Sequence, residues 1–426
     1  MLKHLRLKNI GPAASMELGF GERLNLITGD NGLGKSFLLD IAWWTLTRKW
    51  PSEVNPKLTG GKKALPTTEG PASIDFSFTA KKKEESYKSE FLRREQAWTG
   101  RPGRPSNPGL VFYAMADGSF AVWDPARNYW RTQDGVDVQD RIPAYVFGPA
   151  EVWDGLNGKD GKPICNGLVL DWAGWQKEKG AAFKSLCAVL DVLSPSPEEP
   201  LAPGKFTRIS LDDARDIPTI RMPYGQDVAV LHASAGMRRI FALAYLLVWT
   251  WEEHKKAAEL LGEETTKQVV FLIDEVESHL HPQWQRKIIP ALLAVVKKLI
   301  KQADVQIITA THSPLIMASV EPLFEEGKDA WFDLDFERKK VVLTQRDFEK
   351  HGDAGGWLIS DAFDLESGRS VEYEALINKA AALMEKEQPS ATEIKSMNEA
   401  LVAALNPKDD FLFSWRYICK QKGWLE

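Results

Sequence analysis

Cysteine is scarce in this sequence, and long apolar runs are absent. The three cysteines, Cys165, Cys187 and Cys419, stand far apart and form no CxxC pair, which excludes a disulfide framework and suits a reducing compartment. No stretch reaches the ~20 consecutive apolar residues of a membrane-spanning helix, and the densest run, Phe241–Trp251, is followed by two glutamates. The first residues, MLKHLRLKNIGP, lack the apolar core of a signal peptide. We therefore expect a cytoplasmic protein without a membrane partner.

The sequence also lacks a strong charge of one sign. Its 426 residues carry a formal net charge of −5, so no global basic field attracts nucleic acid. Sustained heptads are missing as well, which excludes a long coiled coil. Small basic clusters leave DNA or RNA as a possible partner through a local patch. These clusters are Lys81–Lys83, Arg93–Arg94, Arg101 with Arg104, and Arg338–Lys340.

What the sequence does contain is a glycine-rich loop between a strand and a helix. The octapeptide GDNGLGKS follows the apolar stretch RLNLIT and precedes FLLDIAWWTLTRKW. The spacing Gly29-x4-Gly34-Lys35-Ser36 is that of a phosphate-binding loop, whose glycines let backbone N–H groups surround phosphates at a helix N-terminus. A glycine-rich turn with an accidental GKS is the alternative, which the flanking strand and helix disfavour.

The loop predicts an ATP site with magnesium. Lys35 would contact the β- and γ-phosphates, and the Ser36 hydroxyl would bind Mg²⁺. The predicted ATP-binding residues are Gly29, Asp30, Asn31, Gly32, Leu33, Gly34, Lys35, Ser36 and Phe37.

A second motif, VVFLIDEVESHLHP, ends an apolar strand in two acids. Asp274 would hold the magnesium ion, and Glu275 would orient or deprotonate the attacking water. Two solvated acids at a strand end are the alternative. His279 and His281 stand two residues apart without a third ligand nearby, which is poor zinc spacing. We interpret HLHP as a structural turn before a helix.

A histidine follows the next buried strand, QIITATHSP. The order strand, helix, strand predicts a parallel α/β core, in which His312 would lie beside the phosphate loop and sense the γ-phosphate. A capped strand end is the alternative.

The order GDNGLGKS, LHASAGMRR, FLIDE and THS resembles that of ABC-type ATPase heads of the SMC, RecF and SbcC group. The DEVESHLHPQWQ block is similar to the pattern of arm-less bacterial relatives in anti-phage systems, namely Septu-type, retron-associated and OLD-like ATPases. The resemblance implies a cytoplasmic homodimer or larger assembly that sandwiches ATP. It also implies a signature segment acting in trans, at Ser234, Ala235 and Gly236, with support from Arg238 or Arg239.

The chain departs from the family pattern at two places. Ala235 and Met237 stand where the signature usually has a second glycine and an acid. The glutamine expected after the strand AYVFG is missing, and Glu151 is the predicted replacement as a metal-linked sensor.

The predicted fold class is α/β: a P-loop ABC-ATPase head with a mixed N-terminal sheet, a parallel α/β core, an insertion subdomain and a helical C-terminal region. The N-terminal half of the head is expected at residues 1–150, the insertion at 151–225 and the C-terminal half, with signature, acidic motif and histidine, at 226–345. Residues 346–426 would form the helical region, which docks a partner.

The catalytic residues implied are Glu275, His312 and Lys35, in an ATPase that controls an associated effector, namely a nuclease in anti-phage defence. Three rivals stay open at this point. They are a RecF-like repair ATPase that binds DNA directly, a small-molecule kinase that uses the same loop, and a nucleotide-binding scaffold with almost no hydrolysis.

Overall fold

The computed structural model describes residues 1–80, 83–100, 107–129, 132–133, 136–137, 141–158, 160–386 and 388–424. The chain divides into two compact units, Met1–Ala354 and Gly355–Glu426. None of the helices in these described ranges is both long and apolar enough to cross a membrane.

The strands of the described residues vary from two to ten residues in length. They are β1 (Leu2–Lys8), β2 (Ser15–Gly19), β3 (Leu24–Gly29), β4 (Ser73–Ala80), β5 (Lys83–Leu92), β6 (Ala97–Trp98), β7 (Leu110–Ala114), β8 (Phe120–Trp123), β9 (Thr132–Gln133), β10 (Val136–Asp137), β11 (Tyr145–Phe147), β12 (Leu156–Asn157), β13 (Pro163–Cys165), β14 (Ala202–Pro203), β15 (Thr219–Arg221), β16 (Asp227–Ala229), β17 (Gln268–Ile273), β18 (Asp304–Ala310), β19 (Ala330–Glu337) and β20 (Lys340–Arg346).

The helices include one long element and several single turns. They are α1 (Lys35–Thr47), α2 (Pro51–Val54), α3 (Pro125–Asn128), α4 (Pro149–Asp154), α5 (Gly167–Glu178), α6 (Ala181–Val192), α7 (Ala235–Leu261), α8 (Pro282–Gln285), α9 (Ile288–Leu299), α10 (Pro314–Val320), α11 (Ala354–Leu358), α12 (Val371–Glu385), α13 (Ala391–Ala404) and α14 (Asp410–Gln421).

The central sheet has eight strands in the order β11-β8-β7-β17-β18-β3-β19-β20. The five strands from β7 to β19 run parallel, and antiparallel strands complete both edges. Five of the six residues of β17 are buried, as expected for a parallel strand covered on both faces. The carboxyl ends of β3, β17 and β18 therefore meet at one edge of the sheet, where the predicted motifs lie.

A second, antiparallel sheet has the order β2-β1-β4-β5-β6. Helix α1 packs against both this sheet and the central one, and ten of its thirteen residues are buried. A helix that is buried all round belongs to the interior of a domain. The predicted α/β class is confirmed, with one refinement: the strands of the N-terminal region divide between two sheets because β3 and β7 pair with β18 and β17.

Helix α7 is the longest helix and lies among α3, α5 and α6. The Ser234 hydroxyl accepts a hydrogen bond from the backbone N–H of Met237 at its N-terminus, and Gly262, at φ 65°, ends it. Serine caps and left-handed glycines are the usual helix termini. The region between the two sheet halves thus carries α5, α6 and the small sheet β14-β15-β16, of which only α6 was apparent from the sequence.

The unit Gly355–Glu426 is helical, as predicted for this region. Helices α12, α13 and α14 enclose a small core of their own, around Leu401 and Trp415. Each begins with a capping side chain, Ser370, Ser390 or Asp409, so local sequence defines all three N-termini.

Candidate functional site

The loop between β3 and α1 has a backbone that only glycines adopt easily. Gly29, Gly32 and Gly34 have φ values of 126°, 82° and 100°, in the region that a Cβ atom disfavours. A Cβ at Gly29 would also lie 2.1 Å from the Leu334 carbonyl oxygen of β19. The loop therefore takes the compact form in which successive N–H groups make an anion-binding concavity.

The Lys35 side chain lies across this loop. Its ammonium group donates hydrogen bonds to the carbonyl oxygens of Gly29 and Asp30, at 2.7 and 2.8 Å. Burial lowers the pKa of Lys35, and the nearby Asp274 carboxylate opposes that shift. A positive charge is thus held where the phosphate groups of a nucleotide would lie.

Ser36 and Asp274 meet although they come from different parts of the chain. The Ser36 hydroxyl is close enough to the Asp274 carboxylate to affect its pKa, and Asp274 stands at the end of β17, only 4% exposed. Burial raises the pKa of Asp274, and the nearby Ser36 hydroxyl opposes the increase.

One carboxylate oxygen of Asp274 fits a role in metal binding. Atom Oδ1 is buried and has no hydrogen-bond partner within the described part of the chain. A buried carboxylate oxygen is costly to leave unpaired, and an oxygen-seeking cation such as Mg²⁺ would satisfy it. Magnesium commonly binds through one or two protein oxygens, with water and phosphate completing its shell, and Ser36 with Asp274 supplies such a pair.

Glu275 follows in a strained conformation. It has φ 46°, which is uncommon for a residue other than glycine and is concentrated at functional sites. Its half-buried carboxylate is close enough to Lys35 and His312 to affect the pKa of both. The structure therefore brings Lys35, Ser36, Asp274, Glu275 and His312 to one edge of the central sheet.

Glu277 was missed as a functional residue by the sequence analysis. Its carboxylate accepts hydrogen bonds from the Thr311 hydroxyl at 2.8 Å and from the His312 backbone N–H at 2.5 Å. Burial raises the pKa of Glu277, and these bonds oppose the increase. The third acid of DEVE was the available signal, but only the pairing of β17 with β18 reveals its partners.

His312 is half-buried and faces the loop lysine. Burial lowers its pKa, and the positive charge of Lys35 lowers it further. Its neighbour Ser313 caps α10 and donates a hydrogen bond to the Gln285 side chain at 2.6 Å. The histidine segment is thus tied to both Glu277 and the HPQWQ segment.

The predicted signature segment forms the N-terminus of α7. Ser234 and Ala235 are exposed, whereas Gly236 is buried, and a Cβ there would lie 2.5 Å from the His279 carbonyl oxygen. Among the described residues, no hydrogen bond joins Ser234 to the phosphate loop of its own subunit. The segment therefore presents Ser234 outward.

The two arginines after the signature differ in their surroundings. Arg239 points into its own subunit and donates to the carbonyl oxygens of Met115 at 3.2 Å and Asp274 at 3.1 Å. Burial lowers its pKa, and Asp274 opposes this shift. Arg239 therefore supports the turn after β17 from within the subunit, and exposed Arg238 is the one available for a contact in trans.

Glu151 is occupied by local contacts. Its carboxylate accepts from the Asn55 side chain at 2.6 Å, the Gly148 N–H at 2.8 Å and the Lys57 ammonium at 2.8 Å. Burial would raise the pKa of Glu151, but these three bonds outweigh it and the pKa is lowered. A metal role for Glu151 stays a prediction, and it requires the carboxylate to leave these partners.

The HLHP segment forms a turn before α8. His281 is exposed and its ring nitrogen accepts from the Gln283 N–H, with Pro282 at the first position of α8. In the described ranges no group of three or more His, Cys, Asp or Glu side chains could hold a metal ion.

Of the predicted basic clusters, Lys81, Lys82, Arg101 and Arg104 lie outside the described residues.

A family model matches the part of the chain that contains this whole edge. The model described as "AAA domain, putative AbiEii toxin, Type IV TA system" covers residues 24–318. The chain belongs to this family. The match includes the phosphate loop, the acids after β17 and His312.

Individual proteins extend the comparison. The Septu protein PtuA of Bacillus thuringiensis is 24% identical over 419 residues, which cover 96% of this chain and 95% of the relative. The Retron Ec83 probable ATPase of Escherichia coli is 23% identical over 156 residues, 36% of this chain and 26% of the relative. The SMC head domain from Thermotoga maritima has a TM-score of 0.38 and 16% identity, with coverage of 81% of this chain and 99% of that one. The predicted resemblance to ATPases of anti-phage systems is confirmed.

Proposed function

We propose that this chain is an ATP-binding and ATP-hydrolysing subunit of a bacterial anti-phage system. In this proposal it closes as a homodimer around ATP and thereby controls an associated effector, a nuclease. The meeting of Ser36 and Asp274 beside Lys35, with one Asp274 oxygen buried and unpaired, is the single observation that carries the nucleotide part of the proposal.

The residues at this edge of the central sheet would have separate roles in ATP binding and hydrolysis. Lys35 would exchange its bonds to the loop carbonyls for bonds to the β- and γ-phosphates, while Ser36 and Asp274 would hold Mg²⁺. Bound there, the ion would neutralise charge on the phosphates. Glu275 would orient the attacking water and accept its proton, and His312 would contact the γ-phosphate.

Glu277 acts in this scheme as a positioning residue. It holds the backbone of His312 through a charge-assisted hydrogen bond and would act on the phosphate only through that residue. Such a bond contributes about 1.5–3 kcal/mol when it is buried.

We expect Glu277→Gln to lower kcat for ATP about tenfold while KM changes little, because the loss of one such bond would disturb His312 more than phosphate binding. Steady-state hydrolysis and nucleotide titration measure the two effects separately. Glu321→Gln is a matched control, because the Glu321 carboxylate accepts backbone N–H groups from His351 and Gly352, at 2.8 and 2.9 Å. A raised KM with unchanged kcat would contradict the positioning role.

The outward position of Ser234 supports action in trans. An exposed helix N-terminus is suited to a phosphate supplied from another molecule, and in a two-fold dimer each signature would reach the loop of the other subunit. Arg238 lies next to it and is exposed.

ATP-dependent dimerisation is the test of the proposal. We expect Glu275→Gln to bind ATP normally but to hydrolyse it at least about 100-fold more slowly, because the general base is removed. With ATP bound, this variant should have twice the mass of the chain in light scattering. ADP should leave it monomeric or in its resting assembly. Glu259→Gln, an exposed glutamate on α7, is the control. An assembly of unchanged mass with ATP and ADP would rule out the nucleotide-gated dimer.

The effector part rests on the match to the Septu protein over nearly the whole of both chains. Residues 346–426 are proposed to dock the effector, and DNA or RNA is proposed as a further ligand of the assembly. Co-purification of the native complex, followed by mass spectrometry, should recover a protein with a nuclease domain. Recovery of the chain alone under conditions that preserve ATP binding would remove the effector from the proposal.

A further inference from the structure

A cavity of about 330 Å³ lies at the far end of α1 from the phosphate loop. Its described lining includes Trp44, Arg48, Trp50 and Trp98. Arg48, directly after α1, follows Lys35 by thirteen residues, a rise of about 20 Å at 1.5 Å per residue. This cavity is therefore distinct from the phosphate site, and its volume is typical of small-molecule pockets.

Aromatic rings form the walls of the cavity. Trp44 and Trp50 are stacked with centroids 5.3 Å apart and an interplanar angle of 14°. Phe76 and Tyr87, from β4 and β5, are stacked at 5.1 Å with the same angle. Tyr87 and Trp98 are only half-buried, so the walls retain accessible ring surface. Such walls suit a flat ring system, since stacking on aromatic side chains tolerates any planar base.

A half-buried cation, Arg48, stands beside these rings. The guanidinium carbon of Arg48 is 3.9 Å from the centroid of the Trp44 ring, and its Nη2 donates to the Thr99 carbonyl oxygen at 2.8 Å. Burial lowers the pKa of Arg48 to about 10.

Arg48 lacks an acidic counterpart. Within the part of the chain that the structure describes, no carboxylate forms an ion pair with Arg48, whereas the neighbouring Lys63 pairs with Glu53 at 2.9 Å. A charge that has lost part of its hydration and has no counter-ion is unfavourable. Arginine donors in a planar fork are well suited to phosphate, so an anionic group entering the cavity would satisfy this side chain.

We propose that this cavity binds a nucleobase that carries a phosphate, either as a free nucleotide or within a single-stranded nucleic acid. The base would stack on the accessible aromatic surface, and the phosphate would pair with Arg48 at the wall. Lys63 also lines the cavity, where it is paired with Glu53, so Arg48 is the cation that would hold the phosphate. The proposal is independent of ATP hydrolysis, because no residue of the phosphate loop lines the cavity.

Calorimetric titration of the full chain tests this site. Saturating Mg-ADP is present throughout, so that the phosphate loop is occupied, and the probes are dTMP and a 5′-phosphorylated tetrathymidylate. We expect one equivalent of probe to bind per chain. Arg48→Met should weaken binding about tenfold or more, the effect of losing one charged hydrogen bond.

Lys177→Met is the matched control, because the Lys177 ammonium also lies over an aromatic ring, Phe206, at 5.6 Å but outside the cavity. It should leave probe affinity unchanged. Similar affinities for the two probes would assign the site to free nucleotides, and a tighter tetrathymidylate would assign it to single strands.

The proposal is overturned if neither probe binds at millimolar concentration, or if binding weakens in proportion to added ADP. It is equally overturned if Arg48→Met binds as well as the unmodified chain. Should Arg48→Met fail to fold, Lys63→Met replaces it, since the Lys63 side chain is 34% exposed; unchanged affinity in that variant counts against the site.

Discussion

Lys35→Ala is expected to abolish measurable ATP binding, with a loss of affinity of about 100-fold or more. The buried ammonium is held over the loop by two carbonyl oxygens, and charged hydrogen bonds of this kind contribute about 1.5–3 kcal/mol each. Fluorescence titration with a labelled ATP analogue measures the loss directly.

Thermal unfolding provides the folding control for this variant. A ligand that binds only the folded chain stabilises it by RT ln(1 + [L]/Kd), so ATP should raise the unfolding temperature of the unmodified chain and leave that of Lys35→Ala unchanged. Lys301→Ala, an exposed lysine after α9, should behave as the unmodified chain does. Unaltered ATP affinity in Lys35→Ala would remove the loop from the nucleotide site and, with it, the proposed mechanism.

Mixing two inactive variants is expected to restore hydrolysis if the signature acts in trans. Lys35→Ala and Ser234→Arg should each be inactive alone. Their mixture should regain about a quarter of the original rate, because half of randomly assorted dimers are heterodimers and each of these keeps one complete site of two. Phosphate release measures the recovery.

Two controls separate trans action from damage to the fold. Ser234 caps α7 by accepting from the Met237 N–H at 3.3 Å, and Ser370 caps α12 in the same way, accepting from the Tyr373 N–H at 3.3 Å. Loss of such a cap costs about 1 kcal/mol, so Ser370→Arg should lose similar stability but keep its ATPase rate. Mixing Lys35→Ala with the Lys35→Ala, Ser234→Arg double variant should give no recovery. Recovery there, or full activity of Ser234→Arg alone, would contradict the shared site.

Two glycines of the candidate site cannot be replaced by larger residues, for steric reasons. Gly29 and Gly236 each lie against a backbone carbonyl, of Leu334 and of His279, at distances that no Cβ can occupy. The loop and the signature are therefore both shaped by contacts with distant segments. Neither contact could be inferred from the motif in which the glycine lies.

Local properties of short segments determined most of the features that the sequence alone predicts. The glycines and GKS of the loop, the apolar strands β17 and β18 and the cap at Ser234 are encoded within a few residues, because dihedral preference, strand burial and capping are local properties. For that reason the sequence alone predicts the phosphate loop, the two acids and His312 as site residues.

Only the tertiary structure decided which of these segments meet. Strand order places β3 between β18 and β19 and brings Ser36 close to Asp274. Packing between segments far apart in the chain likewise gives the hydrogen bond from the His312 N–H to Glu277 and the inward orientation of Arg239. The aromatic cavity at Arg48 likewise needs α1, α2 and the second sheet together. Periodicity along a sequence specifies which face of an element is buried, but not which partner buries it.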